Sequence, residues 1–293
     1  MIPLSIVMPV RNHGEYLQES IESILNQNFT DFEFLIIDDG SIDNSADIIE
    51  NFSKKDSRIK PFFNNTPQGV TTVLNFLIDK SNSNIIGRQD ADDISMNERF
   101  TIQLKDIKNY ELVSSNYYSN NNNHSILIEK NDTGILIFFK NLFFYYLGAH
   151  GQIVFKKRSY DKNYKFCQDY KLFSDIIITD RHSIKIIQEP LYFYRKHKNS
   201  VYNYHRKKQL LLSLKISQQN IYRLLGLNLS LKTILDLRAF ITNSKSPKLP
   251  LPVFNVFLNK IVDVFKNKYC NEKEKTVIDN FIRETYLTIK NVF

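Results

Sequence analysis

The stretch Phe32–Ser41, FEFLIIDDGS, decides how this chain folds. A short, nearly continuous apolar run is the mark of a strand buried on both faces. Asp38-Asp39-Gly40-Ser41 ends that run in turn residues. Upstream, Leu4–Pro9 (LSIVMP) reads the same way and leads into Val10-Arg11-Asn12. Between the two, Tyr16–Gln27 carries Leu17, Ile21, Ile24 and Leu25 at helical spacing. Downstream, Ser45–Phe52 and Val70–Asp79 read as helices, and Ile59–Phe63 and Asn84–Gly87 as strands. The last strand runs into Asp90-Ala91-Asp92-Asp93. Such alternation predicts an α/β fold with a mostly parallel central sheet and crossover helices.

Further along, Glu111–Tyr118 and Ile153–Lys156 are expected strands, with Asn120–Asn123 and His124 a polar loop. Asp169–Ile178 reads as a helix and Ile184–Tyr194 as a strand broken by Pro190. From about His205 only helices are expected: Leu210–Leu225, Leu231–Ile241, Val253–Phe265 and Thr276–Ile289. The Pro-rich Ser244–Pro252 connects two of them. The chain therefore divides into residues 1–205 and a C-terminal α-helical extension, 206–293.

Composition narrows the function classes. At 42% apolar and aromatic residues, the 293-residue chain can bury a core and is not disordered. Cys167 and Cys270 fit neither a disulfide framework nor a metal-binding CxxC pair, so a reducing cytoplasm is the expected compartment. The N-terminus lacks a basic region before an apolar core, and Asn141–Phe155 is shorter than the roughly 18 residues of a spanning helix, so neither a signal peptide nor a membrane span is expected. Net charge is +8, with basic clusters at Lys54–Lys60, Lys156–Arg158, Arg195–Lys198 and Arg206–Lys208. No nucleic-acid motif accompanies them, and none is expected as partner; a solvated face or a peripheral contact with an anionic membrane accounts for them.

Ligands of open parallel sheets bind beyond the C-terminal strand ends. Three polar clusters fall there: Pro9-Val10-Arg11-Asn12, Asp38-Asp39-Gly40-Ser41 and Asp90-Ala91-Asp92-Asp93. Neither GxGxxG nor GxxxxGK[ST] is present, so the usual glycine cradles for phosphate are missing. A nucleoside diphosphate then needs a cation for neutralisation. Asp90 and Asp92 offer hard oxygen ligands for Mn²⁺ or Mg²⁺, and in an extended segment they point the same way.

Six blocks carry a resemblance: SIVMPVRN (5–12), LIIDDGSIDNS (35–45), NFLI with NIIGRQDADDISMNER (75–99), GAHGQIVFKK (148–157), CQDYKLF (167–173) and EPLYFYRKHKNS (189–200). In this order and spacing the chain resembles family 2 glycosyltransferases of the bacterial surface-polysaccharide type, with the GT-A nucleotide-sugar-binding fold, over about residues 4–200. The resemblance implies a donor-binding set of Pro9, Val10, Arg11, Asn12, Asp39, Gly69, Arg88, Asp90 and Arg195. Pro9 and Asn12 would line the base pocket, and Asp39 would accept a hydrogen bond from the base, usually uracil. Arg11 stands where the family commonly has a stacking Tyr, a role a guanidinium can fill. Gly69 and Asn75 belong to the segment that closes the pocket, and Arg88 and Asp90 to the sugar and ribose side. Asp92, with Asp90 and His197, would hold the metal, and Arg195 would meet the diphosphate.

Asp169 is the implied general base, taking the proton of the acceptor hydroxyl; by residue type alone it reads first as a helix cap favoured by the macrodipole. Gln168 replaces a frequent Glu. His150 and Gln168 fall on the acceptor side, although core packing explains His150 as well. Ser200 follows the family pattern, and Tyr202 stands where a second Ser is frequent.

The expected function is metal-dependent, inverting transfer of a sugar from a nucleotide diphosphate-sugar, such as a UDP-sugar, to a saccharide or lipid-linked saccharide. The expected place is the cytoplasm, at the inner face of the plasma membrane, with a homodimer as a further expectation. One rival reading is an inactive nucleotide-sugar-binding or membrane scaffold. Another is a sugar-nucleotide nucleotidyltransferase, which needs a Gly-rich basic loop where this chain has only Arg11 and Gly14.

Overall fold

A computed structural model describes residues 3–121, 124–130, 132, 134–144, 147–197, 201–242 and 248–292. The first half alternates β1 (Ser5–Val10), α1 (Gly14–Leu25), β2 (Glu33–Asp39), α2 (Ser45–Lys55), β3 (Ile59–Asn64), α3 (Val70–Lys80) and β4 (Ile85–Arg88). Then follow β5 (Ile94–Ser95), α4 (Arg99–Asp106), β6 (Leu112–Asn121), β7 (His124–Ile128), α5 (Ile135–Asn141), β8 (Val154–Lys156), α6 (Gln168–Thr179) and β9 (Ile184–Tyr194). The chain ends in α7 (Val201–Leu225), α8 (Leu231–Ile241), α9 (Leu251–Tyr269) and α10 (Glu272–Val292).

Contacts divide the chain into two units. The first holds Met1–Asn131, Leu147–Leu172 and Ser183–Tyr204; the second holds Asp132–Tyr146, Phe173–His182 and His205–Phe293. Beside a single cut near residue 205, this division groups two earlier segments with the tail.

The first unit is the α/β part. Its sheet runs β3-β2-β1-β4-β8-β6-β9-β5, with β7 paired to β6. β2 and nearly all of β1 are buried, as their unbroken apolar runs require. The β3-β2-β1-β4 part is parallel, and its register sets Val7 beside Arg88, Val10 beside Asp38, and Asp39 beside Asn64. Strand ends β1, β2 and β3 therefore finish level at one edge. Direction reverses at β8, which is antiparallel to β4 and β6, while β6 and β9 again run parallel.

Pro190 does not break β9. The strand continues through it, and the ladder with β6 takes up the misfit: Ser115 pairs with Ile187, Asn116 with Pro190 and Tyr117 with Tyr192. Proline lacks the N–H that a regular ladder needs, so a bulge is where it can sit. Asn116 bridges the irregularity, donating from Nδ2 to the Gln188 carbonyl at 2.8 Å and accepting from the Lys130 amide at 2.6 Å. The polar loop expected at 120–124 is instead the β6–β7 hairpin, of which residues 122 and 123 lie outside the described residues.

The second unit is helical. Phe138 and Phe139 of α5 stack against Phe265 of α9 at 5.3 and 5.0 Å, and Phe240 of α8 packs on Phe254 and Tyr286. Ser230 caps α8 by accepting from the Thr233 amide at 3.1 Å. α7 begins at Val201, earlier than its apolar spacing suggests, and departs from helical geometry at His205. Among the described residues, no helix is long and apolar enough to cross a membrane.

Ile36 is fully buried in the sheet core with Ile6, Met8 and Phe34. Ile36→Ala should lower unfolding stability by about 2–5 kcal/mol, read from urea denaturation. A loss under about 1 kcal/mol would contradict a close-packed β2.

Candidate active site

The edge where β1, β2 and β3 end is laced together by short polar side chains. Asn12 adopts φ 55°, the left-handed region that Asn tolerates. Its Oδ1 accepts from the Ile42 amide at 2.9 Å, and its own amide donates to Ser41 Oγ at 2.9 Å. The Gly14 amide donates to Asp43 at 2.9 Å, and Ser41 to Asp38 at 3.0 Å. The turns after β1 and β2 are thereby one structure, with Val10 buried beneath it and Arg11 exposed above.

Asp39 is buried and holds the loop after β3. Its Oδ1 accepts from Asn64 Nδ2 at 2.9 Å and from the Gln68 amide at 2.8 Å; Oδ2 accepts from the Gly69 amide at 2.8 Å. Gly69 sits at φ 89°, which side chains rarely adopt, and is exposed. Three of about four acceptor positions on Asp39 are thus engaged within the protein.

After β4 lies a buried cationic layer. Arg88 pairs with Asp90 and donates to the Gln89 carbonyl at 2.6 Å; its Nε has no hydrogen-bond partner among the described residues. Beside it Arg99, fully buried, donates to Gln103 Oε1 (3.0 Å), Gln89 Oε1 (3.1 Å), Ser95 Oγ (2.8 Å) and the Arg88 carbonyl (2.8 Å). Burial pulls the Arg99 guanidinium down to about 10, so it stays charged at neutral pH. Tyr192 of β9 sets its hydroxyl 3.3 Å from the Asp90 amide. A Cβ on Gly151 would stand 1.9 Å from that hydroxyl, so only glycine admits this approach.

The acidic turn meets the segment leaving β9. His197 Nε2 lies 2.7 Å from Asp92 Oδ2, and the Arg195 amide donates to Asp93 Oδ1 at 2.8 Å. The Arg195 guanidinium reaches back to Glu19 at 2.6 Å and lies over the Tyr16 ring at 4.8 Å. Burial pushes the Asp92 carboxyl up, but the His197 hydrogen bond and the nearby His13 outweigh it and hold it below its ordinary value. Asp93 goes the other way: burial, then Asp92 and Asp90, raise it well above the carboxylate range.

His13, Asp92 and His197 offer ligand atoms within 4.8 Å of one another, which fits a divalent cation by donor chemistry and spacing. Asp90, tied to Arg88, is not in that group.

Asp169 stands in the first turn of α6, half-buried, and its Oδ1 accepts from the Tyr170 amide at 2.7 Å. Burial raises the carboxyl to about 6; that hydrogen bond opposes the shift, and the charge of Asp90 adds to it. Gln168 is buried. His150 Nε2 lies 2.7 Å from the Tyr160 hydroxyl, and burial followed by Arg88 holds the imidazole well below its usual value, hence neutral. Asn75 fastens the Tyr160 backbone in both directions, at 2.7 and 3.0 Å.

The model of the family described as "Glycosyl transferase family 2" matches residues 5–163, more than half of the chain. The chain belongs to glycosyl transferase family 2. An uncharacterized glycosyltransferase of Haemophilus influenzae is 39% identical over 113 residues, 39% of this chain and 45% of that protein. The O-antigen biosynthesis glycosyltransferase WbnJ of Escherichia coli is 29% identical over 187 residues, 59% of this chain and 71% of its own. This chain spans less than half the length of several curated relatives it matches, the Haemophilus influenzae protein among them.

Two solved structures share the fold. Staphylococcus aureus TarS (residues 1–349), in complex with UDP-GlcNAc, aligns at TM-score 0.62 and 16% identity over 99% of this chain and 90% of that one. The mannosyltransferase PcManGT of Pyrobaculum calidifontis, in complex with GDP-Man and Mn²⁺, aligns at 0.56 and 12% identity, over 97% and 86%. The expected GT-A fold is therefore the fold of this chain.

Around the acidic turn of this family 2 chain the structure brings together Arg88, Asp90, Asp92, Arg195 and His197, and Asp169 is near enough to Asp90 and Arg88 to feel their charges. Pro9, Val10, Arg11, Asn12, Asp39 and Gly69 sit at the neighbouring strand ends and loop. Ser200 lies outside the described residues, as does the side chain of Tyr202. Sequence reading passed over His13 and Arg99. A lone His in a turn carries no spacing signal, whereas Arg99 closes the quoted NER block and was readable there as a basic residue beside an acidic turn.

Asp39→Ala should speed amide hydrogen exchange at Gln68 and Gly69 about tenfold or more, since each bond to a charged acceptor contributes about 1.5–3 kcal/mol. Unchanged exchange would show that other contacts hold the loop.

Proposed function

We propose that this family 2 enzyme transfers a sugar, with inversion, from a nucleotide diphosphate-sugar to a hydroxyl of a saccharide or lipid-linked saccharide in surface-polysaccharide or glycolipid synthesis. The feature that carries the reading is Asp169, a half-buried carboxylate in the first turn of α6, raised by burial to about 6 and near enough to Asp90 and Arg88 to feel their charges. Asp169 takes the acceptor proton as the acceptor oxygen bonds to the anomeric carbon. The bond from that carbon to the phosphate oxygen breaks, and its electron pair leaves with the diphosphate. Arg195, released from Glu19, would contact the departing phosphates. A divalent cation, Mn²⁺ or Mg²⁺, held through Asp92 and His197 would neutralise the same charge.

On the donor side, Arg88 and Asp90 face the sugar and ribose, and Pro9, Val10, Arg11, Asn12, Asp39 and Gly69 the base. A uridine donor is the first choice; the UDP-GlcNAc bound by TarS and the GDP-Man bound by PcManGT are the two precedents in the same fold. His150 and Gln168 are placed on the acceptor side. The O-antigen role in the name of WbnJ supports the acceptor class.

The proposed place is the cytoplasmic side of the membrane. Exposed Leu251, Val253 and Val256 beside Lys248 and Lys260 support a peripheral contact with anionic lipid, which flotation with anionic against neutral vesicles tests. A homodimer remains part of the proposal, to be tested by light scattering.

The reading is tested by diphosphate release from UDP-, GDP- and TDP-sugars, with Mn²⁺, with Mg²⁺ and with chelator. Asp169→Asn should cut turnover by roughly 10²–10⁴ while donor binding persists; full turnover in that variant would remove Asp169 as the base. A base must be deprotonated to act, so turnover should fall as pH drops through about 6 and level off above it. A rate independent of pH between about 5 and 7 would contradict this assignment.

A further inference from the structure

We infer that His13 is a third protein ligand of the metal, so that the site binds a first-row transition cation before any nucleotide arrives and favours Mn²⁺ over Mg²⁺. The inference rests on the donor reading above only in naming the cation's use. Its ground is the meeting of two turns that are distant in the chain. His13 follows β1, whereas His197 follows β9; both bring an imidazole nitrogen within 4.8 Å of Asp92 and of each other. The two rings meet edge to face, with centroids 6.2 Å apart and planes at 88°.

The backbone position of His13 argues against a merely local role. It is the N-cap of α1, where Ser, Thr, Asp or Asn ordinarily accepts a hydrogen bond from the first turn. His13 makes no such side-chain bond. The exposed amides of that turn are served from elsewhere: His13 donates its own to Ser45 Oγ at 3.1 Å, and Gly14 to Asp43 at 2.9 Å. The β2–α2 turn thus does the capping, and the imidazole is turned toward Asp92.

Donor chemistry then sets the preference. Mg²⁺ binds through carboxylate, phosphate and water and keeps its waters, whereas Mn²⁺, though the weakest binder of the first-row series, accepts imidazole nitrogen beside oxygen more readily than Mg²⁺ does. Two imidazoles and one carboxylate give a site that discriminates between them. Three protein ligands also suffice for binding without help from phosphate, while leaving about three places of a six-coordinate ion open.

The test is Mn²⁺ binding to the full chain without nucleotide, followed by electron paramagnetic resonance, with Mg²⁺ as competitor. The wild-type chain should bind Mn²⁺ and resist Mg²⁺. His13→Ala should weaken Mn²⁺ at least about tenfold, as loss of even a supporting residue typically does. His13→Asp, which replaces nitrogen by a hard oxygen, should keep Mn²⁺ but narrow its margin over Mg²⁺. Thermal melting, with UDP binding in chelator, reports whether each variant is folded.

Wild-type affinity in a folded His13→Ala chain would overturn the inference, as would Mn²⁺ binding that needs UDP. Should the alanine variant not fold, an unchanged Mn²⁺ margin in His13→Asp overturns it equally. Mn²⁺ binding with no turnover of any donor would count against the proposed function and leave His13 in place.

Discussion

The active-site edge depends on a charge with no water around it. Transferring a guanidinium from water to the interior costs several kcal/mol after relaxation. Arg99 offsets this with neutral acceptors, and its guanidinium also lies over the rings of Phe100 and Tyr192. Those acceptors come from β4, from the turn beyond it, from β5 and from α4, and one bond reaches the Ile153 carbonyl before β8. Each must be in place for the charge to be tolerated. The acidic turn is therefore held from beneath by a group that is fully buried.

Because its acceptors are neutral, Arg99 keeps its field. Together with Arg88 it places two cations under a turn with three carboxylates, and those carboxylates diverge. Asp92, hydrogen-bonded to His197, is held low; Asp93, buried and crowded by two acids, is driven high. An Asp93 whose charge is disfavoured suits a structural task, receiving the Arg195 amide where the chain leaves β9. An ionised Asp92 suits a ligand. Adjacent residues of one type have been sorted by environment into a fastener and a binding group.

The parallel half of the sheet was legible because its strands are buried on both faces, and such strands write themselves as unbroken apolar runs. The middle was less so. β5 has only two residues, and although Glu111–Tyr118 read as a strand, the tip of the β6–β7 hairpin at Asn120, Asn121 and His124 is polar and read as loop. Asp90, Asp92 and Asp169 could be singled out as acids following a strand or opening a helix. What no spacing could tell is how each carboxylate is used. Asp39 turned out to hold the 64–69 loop, and Asp90 to answer Arg88, because hydrogen-bond partners are decided by tertiary neighbours. Gln168 removes a charge beside Asp169, yet burial, with the charge of Asp90 added, still raises that acid.

The bulge around Pro190 has a geometric consequence. Between Leu112 and Tyr117 β6 advances five residues, while β9 advances eight, from Ile184 to Tyr192. At about 3.3 Å per residue the surplus corresponds to about 10 Å of chain. An odd surplus also exchanges the two faces of the strand beyond it. Which residues of β9 come to stand opposite Tyr117 and Ser119, here Tyr192 and Tyr194, is thus set by the slack before them in the ladder. Insertions or deletions at that one place can be absorbed as slack while the pairing beyond it, and with it the point at which Arg195 and His197 begin, stays as it is.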